Sequence, residues 1–300
     1  ATQSCVLLYE KMKAEYVLGL SATRPPNYLH VPMALRVCKA GKPVNVEKPL
    51  AISKAQAAEL AAELEKNRVP NMMCFTYRFM PAVRYAKSLL DQGVLGQVVN
   101  VDVAYLQSGA FIEGRRLEWR FRKDLAGSGA LADLGVHLLD MTRLLIGEVR
   151  AVNSAMGTVV KQRKRLDSEE LADVTVDDFC SFIAELENGV IGNFTMSRCA
   201  MGHSNTIKYD IYGTDGVISF NLNDPSIIYL CLKKKQKTLR LRKVKVPEEF
   251  YITQEQAFIE MLGGKEIPYM PTIEDGVKCQ AILDAVQKSA QQHCRVEVEH

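Results

Sequence analysis

Over its first hundred residues the chain alternates short apolar runs with helical stretches, the pattern of a parallel sheet with crossover helices. Residues 17–22 (VLGLSA) read as a strand running into a polar loop with Pro25, Pro26 and Asn27. Residues 31–40 (VPMALRVCKA) read as a short helix closed by Gly41, and 43–47 (PVNVE) as the next strand. Ser53 with Gln56 makes a capping-box signature ahead of AAELAAELEKN, whose apolar positions recur at helical spacing. MMCFTY at 72–77 predicts a further strand, and Pro81 to Gln92 a helix stopped by Gly93.

After Gly96 the texture changes. VVNVDVAY at 98–105 opens a region of many period-two strands and few helices, a domain change. SFIAEL, the turn Glu187-Asn188-Gly189 and VIGNFTMS predict a hairpin, because Asn-Gly supplies the positive φ angles of a tight turn. A second hairpin is expected at 213–216, between IKYDIY and VISFN. Two closing helices are opened by Thr253 and Thr272, each followed three residues on by Gln256 or Asp275. No internal repeat or low-complexity segment is present.

Composition narrows the function classes. Three hundred residues, 47% hydrophobic and 24% charged, suit an ordinary globular chain with room for two domains. A net charge of +3 from 38 basic and 35 acidic side chains argues against a nucleic-acid partner and for a small, weakly charged substrate. The basic run at 233–245 (KKKQKTLRLRKVK) lacks interleaved aromatic residues and reads as an edge strand or hairpin with solvated side chains. The eight cysteines are scattered without C-x-x-C or Cys/His spacing, so reduced thiols in the cytoplasm and no metal site are expected. No apolar run approaches the roughly 20 residues of a membrane helix, and no signal-peptide order stands at the N-terminus.

The stretch at 127–147 (GSGALADLGVHLLDMTRLLIG) is an apolar helical pattern interrupted by Asp133, His137 and Asp140, spaced to share one face. Burying an acid with an imidazole is costly unless they pair or face a wet cleft. A neighbouring carboxylate would orient the ring and stabilise its protonated form, as a general base at an alcohol needs. The competing reading is a hydrogen-bonded core histidine. Gly129 and Gly135 within this helix point to close approach of a backbone or ligand. In Val46-Glu47-Lys48-Pro49-Leu50 a lysine follows a parallel strand, where open α/β sheets bind ligands, and Pro49 limits its backbone to extended geometry. The competing reading there is a surface salt bridge.

The segments ATRPPNYLHVPMALRVCKAGKPVNVEKPLA, YRFMPAVRYAKSLLDQGVLGQV, EWRF and GSGALADLGVHLLD resemble the ordered landmarks of the Gfo/Idh/MocA oxidoreductases, from about residue 10 to the C-terminus. The resemblance implies an α/β protein: a Rossmann-like nucleotide domain over 1–78, then an α+β substrate and dimerisation domain over 79–300 with a large, mostly antiparallel sheet. It implies NAD or NADP as cofactor, a sugar or cyclic polyol as substrate, and a dimer or tetramer assembled through the C-terminal sheet. Lys48 would hydrogen-bond the reacting oxygen, with Asp133 and His137 beside the substrate, His137 as proton acceptor and Asp140 a weaker candidate. Thr23, Pro25, Asn27, His30 and Glu47 would line the cofactor cleft with Lys48, joined by Arg78, Trp119 and Arg120.

Against the family pattern, no G-x-G-x-x-G turn precedes these landmarks, the first glycine being Gly19, and Arg24 interrupts the expected A-T-P-P-N run. Roughly 55 to 60 residues of the usual unit are missing, which predicts a gapped sheet and a damaged or absent dinucleotide site. Two alternatives follow: an inactive homologue serving as a dimerisation or interaction module, and a nicotinamide-dependent glycosidase.

Overall fold

A computed structural model describes residues 25–233 and 238–299. The strand read at 17–22, Thr23, Arg24 and the predicted gap in the nucleotide sheet fall outside the described residues. Helix α1 (His30–Lys39) leads into β1 (Val44–Val46), whose three residues are all buried, as a parallel strand covered on both faces requires. Helix α2 (Lys54–Asn67) starts where Ser53 accepts a hydrogen bond from the Gln56 amide, and ends where Arg68 turns to φ 52°. β2 (Asn71–Met73) pairs parallel with β1 in the register Val44↔Asn71.

The strand expected over 72–77 is shorter. β1 stops at Val46, whose carbonyl accepts from Cys74 N, and beyond it the chain has no ladder partner among the described residues. It coils instead into a 3₁₀ turn at Thr76–Phe79 before α3 (Pro81–Asp91).

The remainder is organised by a nine-stranded sheet: β3 (Val98–Leu106), β4 (Val149–Gly157), β7 (Phe179–Leu186), β8 (Ile191–Ser197), β9 (Thr206–Gly213), β10 (Gly216–Asn221), β11 (Ile227–Leu232), β12 (Arg242–Lys245) and β13 (Val296–Glu297). Its order is β12-β11-β10-β9-β3-β8-β7-β4-β13, and of these neighbours only β3 and β8 run parallel. A separate short ribbon joins β5 (Gln162–Lys164) and β6 (Leu171–Asp173). Both hairpins form as expected, with Gly189 at φ +83° in the first. The basic run supplies β12, an edge strand with exposed Arg242, Lys243 and Lys245.

Alternation along β7 and β8 turns Phe182 and Phe194 inward, where their rings stack 4.5 Å apart, while Phe179, Ile183 and Ile191 stay exposed. The covered face receives α5 (Val136–Leu145) and the long α7 (Ile273–Gln292), which a Thr272/Asp275 capping box opens. The short α4 (Lys123–Ala126) precedes α5, and α6 (Gln254–Leu262), capped by Thr253, lies between α5 and α7 in sequence. The seven described cysteines are free thiols. Among the described residues no helix is long and apolar enough to cross a membrane, and no cluster of potential metal ligands occurs.

Ahead of α5 the backbone departs from the expected continuous α-helix. Leu131–Gly135 form a π-helical turn, held at its start by Asp177, whose carboxylate accepts from Gly129 N at 2.6 Å and Leu131 N at 2.8 Å. A Cβ on Gly129 would stand 1.8 Å from the Asp177 carbonyl oxygen, so the close approach suggested by that glycine is to backbone. A π turn inserts residues into the helical repeat.

Candidate functional site

Lys48 leaves the end of β1, and its side chain crosses to the π turn. Its Nζ donates to Asp133 Oδ1 at 2.8 Å and to the Asp133 carbonyl at 2.9 Å. Arg198, just past the end of β8 and buried, donates from Nη2 to Asp133 Oδ2 at 3.0 Å. One carboxylate is thus clamped between two cations, each oxygen assigned to one of them. Burial alone would raise the pKa of Asp133, but Lys48 and Arg198 outweigh it and hold the carboxyl well below its usual range.

These groups open on a cavity of about 460 Å³, within the size range of small-molecule sites. Its lining includes Pro25, Asn27, His30, Glu47, Lys48, Trp119, Arg120 and Asp133. Of the thirteen lining residues, then, these eight carry roles the sequence suggested. Asn27 and His30 also brace the wall: Asn27 Nδ2 donates to the Ala126 carbonyl at 2.8 Å, and His30 Nδ1 bonds the Pro49 carbonyl at 2.7 Å. Burial lowers the His30 pKa despite that bond, which favours the neutral ring. The Arg120 guanidinium lies 4.2 Å from the centre of the Trp119 ring.

His137 does not line the cavity. It is 8% exposed, its ring meets Tyr77 edge-on at 4.6 Å, and its Nδ1 is buried without a hydrogen-bond partner. The described residues show no Asp133–His137 hydrogen bond; the carboxylate oxygens accept from Lys48 and Arg198. Burial pulls the imidazole well below its ordinary pKa, Lys48 pushes it the same way, and Asp133 opposes them without prevailing. The ring is neutral, not the stabilised imidazolium that a paired carboxylate would give.

Arg78 and Asp140 also part from expectation. Arg78 is buried, donates from Nη2 to Asp140 Oδ1 at 2.6 Å and reaches Asp275 at 3.0 Å, and does not line the cavity. A guanidinium shared by buried Asp140 and half-buried Asp275 ties β2's exit to α5 and α7. Thr23 lies outside the described residues.

Four polar side chains without a sequence signal form the rest of the wall with Leu134. Tyr77 and Tyr105 share a hydroxyl–hydroxyl hydrogen bond of 2.9 Å, Tyr105 donates to Asn205 Oδ1 at 2.8 Å, and Gln107 Nε2 donates to the same oxygen at 2.7 Å. Tyr105 and Gln107 straddle the end of β3, and Asn205 arrives just before β9. A tyrosine closing VVNVDVAY was the one available hint.

Comparison with known proteins places this geometry. The model "Oxidoreductase family, NAD-binding Rossmann fold" matches residues 11–75, and "GFO/IDH/MocA C-terminal domain" matches 83–219. Levoglucosan dehydrogenase of Pseudarthrobacter phenanthrenivorans is 34% identical over 208 residues, 65% of this chain and 53% of that protein. Glucose-6-phosphate 3-dehydrogenase of Bacillus subtilis is 29% identical over 211 residues, 68% of this chain and 58% of that protein. The chain thus spans little more than half the length of these curated relatives. Among solved structures, levoglucosan dehydrogenase in complex with NADH and levoglucosan superposes with a TM-score of 0.84 at 30% identity, over 92% of this chain and 78% of the other. An oxidoreductase domain protein from Kribbella flavida gives a TM-score of 0.88 at 28% identity over 99% and 84%. The two family models, meeting at the step from β2 to α3, and this likeness over nine-tenths of the chain establish that it belongs to the Gfo/Idh/MocA family of oxidoreductases.

Proposed function

We propose that this chain is a nicotinamide-dependent oxidoreductase that moves a hydride between NAD or NADP and a carbinol carbon of a sugar or cyclic polyol. The observation that carries the reading is the Lys48 ammonium, fixed by Asp133 at the margin of a polar cavity below the end of a parallel strand. The NADH complexes of levoglucosan dehydrogenase among its structural neighbours support it. So does the buried, unpartnered Nδ1 of His137, a polar atom left without a protein partner beside the cavity wall. Pro25, Asn27, His30, Glu47, Trp119 and Arg120 would hold the nicotinamide end of the coenzyme, with 1–78 the nucleotide-binding part and 79–300 the substrate part. When bound, the coenzyme supplies the hydride acceptor or donor.

The protein's own work is electrostatic. An ammonium has three N–H donors, and Lys48 commits two to Asp133, leaving one for the substrate oxygen. As the hydroxyl loses its proton, negative charge collects on that oxygen, and a preplaced cation stabilises it without reorganisation. Asp133 keeps the ammonium in position, and Arg198 keeps Asp133 in position. His137, whose neutral ring packs behind the lining residue Tyr77, would accept the hydroxyl proton once its unpartnered Nδ1 is reached from the cavity. The exposed Phe179, Ile183 and Ile191 on the sheet's open face support self-association there, and the free thiols support a reducing, cytoplasmic setting.

A panel of free sugars, anhydrosugars and cyclic polyols incubated with NAD or NADP, followed through absorbance of the reduced coenzyme, tests the reading. We expect turnover with at least one neutral member and a loss of about a thousandfold in kcat for Lys48→Met. Glycoside cleavage without net coenzyme reduction would favour the glycosidase alternative; no turnover, or an unimpaired Lys48→Met, removes the dehydrogenase reading.

A further inference from the structure

Two chemistries are represented among the relatives, a neutral anhydrosugar and a phosphorylated sugar in the names of their enzymes. The cavity's own charges and hydrogen bonds discriminate between them. Among its described lining residues the formal charges balance, Lys48 and Arg120 against Glu47 and Asp133. Lys48 is engaged by Asp133, and Arg120 sits over the Trp119 ring with Glu118 at 4.0 Å. A phosphate monoester brings about −1.5 to −2 charges and calls for a surplus of cations, commonly an arginine cluster. Among the described residues no such cluster lines this cavity.

The wall that β3 and the 198–206 loop supply carries uncharged groups instead. Asn205 Oδ1 accepts from both Tyr105 Oη and Gln107 Nε2, which fixes the orientation of both amides. The Asn205 Nδ2 donors and the Gln107 Oε1 acceptor remain without a partner in the hydrogen bonds of the described residues. A neighbouring donor and acceptor match a pair of adjacent ring hydroxyls, since each hydroxyl can both give and take a hydrogen bond.

Resting on the oxidoreductase reading, we infer that Gln107 and Asn205 are specificity-determining residues that read two hydroxyls of an uncharged polyhydroxy ring and give the site a preference for it over its phosphate ester. The Tyr77–Tyr105 bond anchors this pair to the exit of β2. An amide pair of this kind acts mainly on binding.

The chain's single tryptophan, Trp119, lines the same cavity and serves as a site reporter independent of turnover. Glucose, levoglucosan and glucose 6-phosphate are titrated against Trp119 emission, and in parallel assayed for coenzyme reduction. We expect a neutral sugar to bind at least tenfold more tightly than glucose 6-phosphate. Asn205→Asp keeps an oxygen that accepts from Tyr105 and Gln107 and replaces the outward donors with a charged acceptor, so it tests the donor without dismantling the network. It and Gln107→Leu should each raise KM for the neutral sugar about tenfold with little change in kcat. Tighter binding of glucose 6-phosphate, binding of none of the three, or an unchanged KM in both variants overturns the inference. Preferential binding of a neutral sugar without any coenzyme reduction leaves the inference standing and sinks the dehydrogenase reading; reduction with glucose 6-phosphate preferred does the reverse.

Discussion

Asp133 and Asp140 sit on the same helical segment, each beside arginine, yet their surroundings drive them in opposite directions. Asp133 has two cations to itself, Lys48 at 2.8 Å and Arg198 at 3.0 Å, and its side chain keeps 35% of its exposure. Asp140 is 2% exposed and shares Arg78 with a second carboxylate, Asp275, which Arg143 joins at 3.1 Å. Burial and the neighbouring Asp275 raise Asp140 to about 6 even though Arg78 opposes them, whereas Asp133 is held far down. The count of cations per acid and access to the cavity separate a cluster able to act on a ligand from one that fastens elements together. The Asp133 cluster leaves an ammonium hydrogen to spare; in the Asp140 cluster Arg78 is turned onto Asp140, Asp275 and the Tyr269 carbonyl.

The largest effect separating them should come from Arg78→Met. Removing one partner from a buried ion pair leaves the other uncompensated, at a typical cost of 3–5 kcal/mol. Urea unfolding at pH 7 should show a loss of about that size. Asp140 is raised above its unfolded value, so the native state binds a proton that the unfolded chain releases between their two pKa values. In the variant that carboxyl loses its guanidinium and rises further, so the deficit relative to wild type should shrink as the pH falls toward 5. A deficit under about 1 kcal/mol, or one independent of pH, would show that Arg78 does not compensate Asp140.

A smaller effect, on rate more than on stability, is expected from Asp133→Asn. The amide can still accept from Lys48, but neither Lys48 nor Arg198 retains its counter-charge. The partial exposure of Asp133 lets water offset part of the stability cost. Catalysis has no such relief, because the position of the ammonium matters at the reacting oxygen. We expect kcat/KM for a neutral sugar to fall about tenfold to a hundredfold, with a stability loss smaller than that of Arg78→Met. A reversed order of the two variants in unfolding experiments would break the contrast between the clusters.

Much of this contrast was illegible in the sequence, and the reason is distance along the chain. Local signals read well: Ser53 and Thr272 cap helices, Gly189 turns a hairpin, and Lys48 leaves a parallel strand as its position suggests. The π turn was not readable, because the same apolar spacing serves an α-helix, and the residue that holds it, Asp177, lies 46 positions beyond Leu131. Arg198 stands 65 residues from Asp133 and Arg78 stands 62 from Asp140, so no spacing rule could assign either arginine to its acid. MMCFTY carries strand propensity throughout, and only the three-residue length of β1 cuts it short. Gln107 and Asn205 are ordinary polar residues at strand ends until the fold brings them together.

The finest test concerns His137, which lies between the two acids in sequence and pairs with neither. Its folded pKa is well below the unfolded value near 6.5, so as the pH falls through 6.5 the unfolded chain takes up a proton that the folded chain refuses. Stability linked to this group is therefore fully present above pH 6.5 and is lost on acidification. Once the pH is below that value, the loss should be roughly 1.4 kcal/mol per pH unit until the buried ring itself protonates. Asp140 and His30 titrate nearby, Asp140 with the opposite sign, but both remain in His137→Asn and cancel when the two proteins are compared. Wild type should accordingly lose stability relative to His137→Asn between pH 7 and pH 5 in paired urea titrations. A difference that stays constant over that range would mean that the ring already has a proton partner in the folded protein, most directly Asp133, and the separation of the two clusters would have to be redrawn.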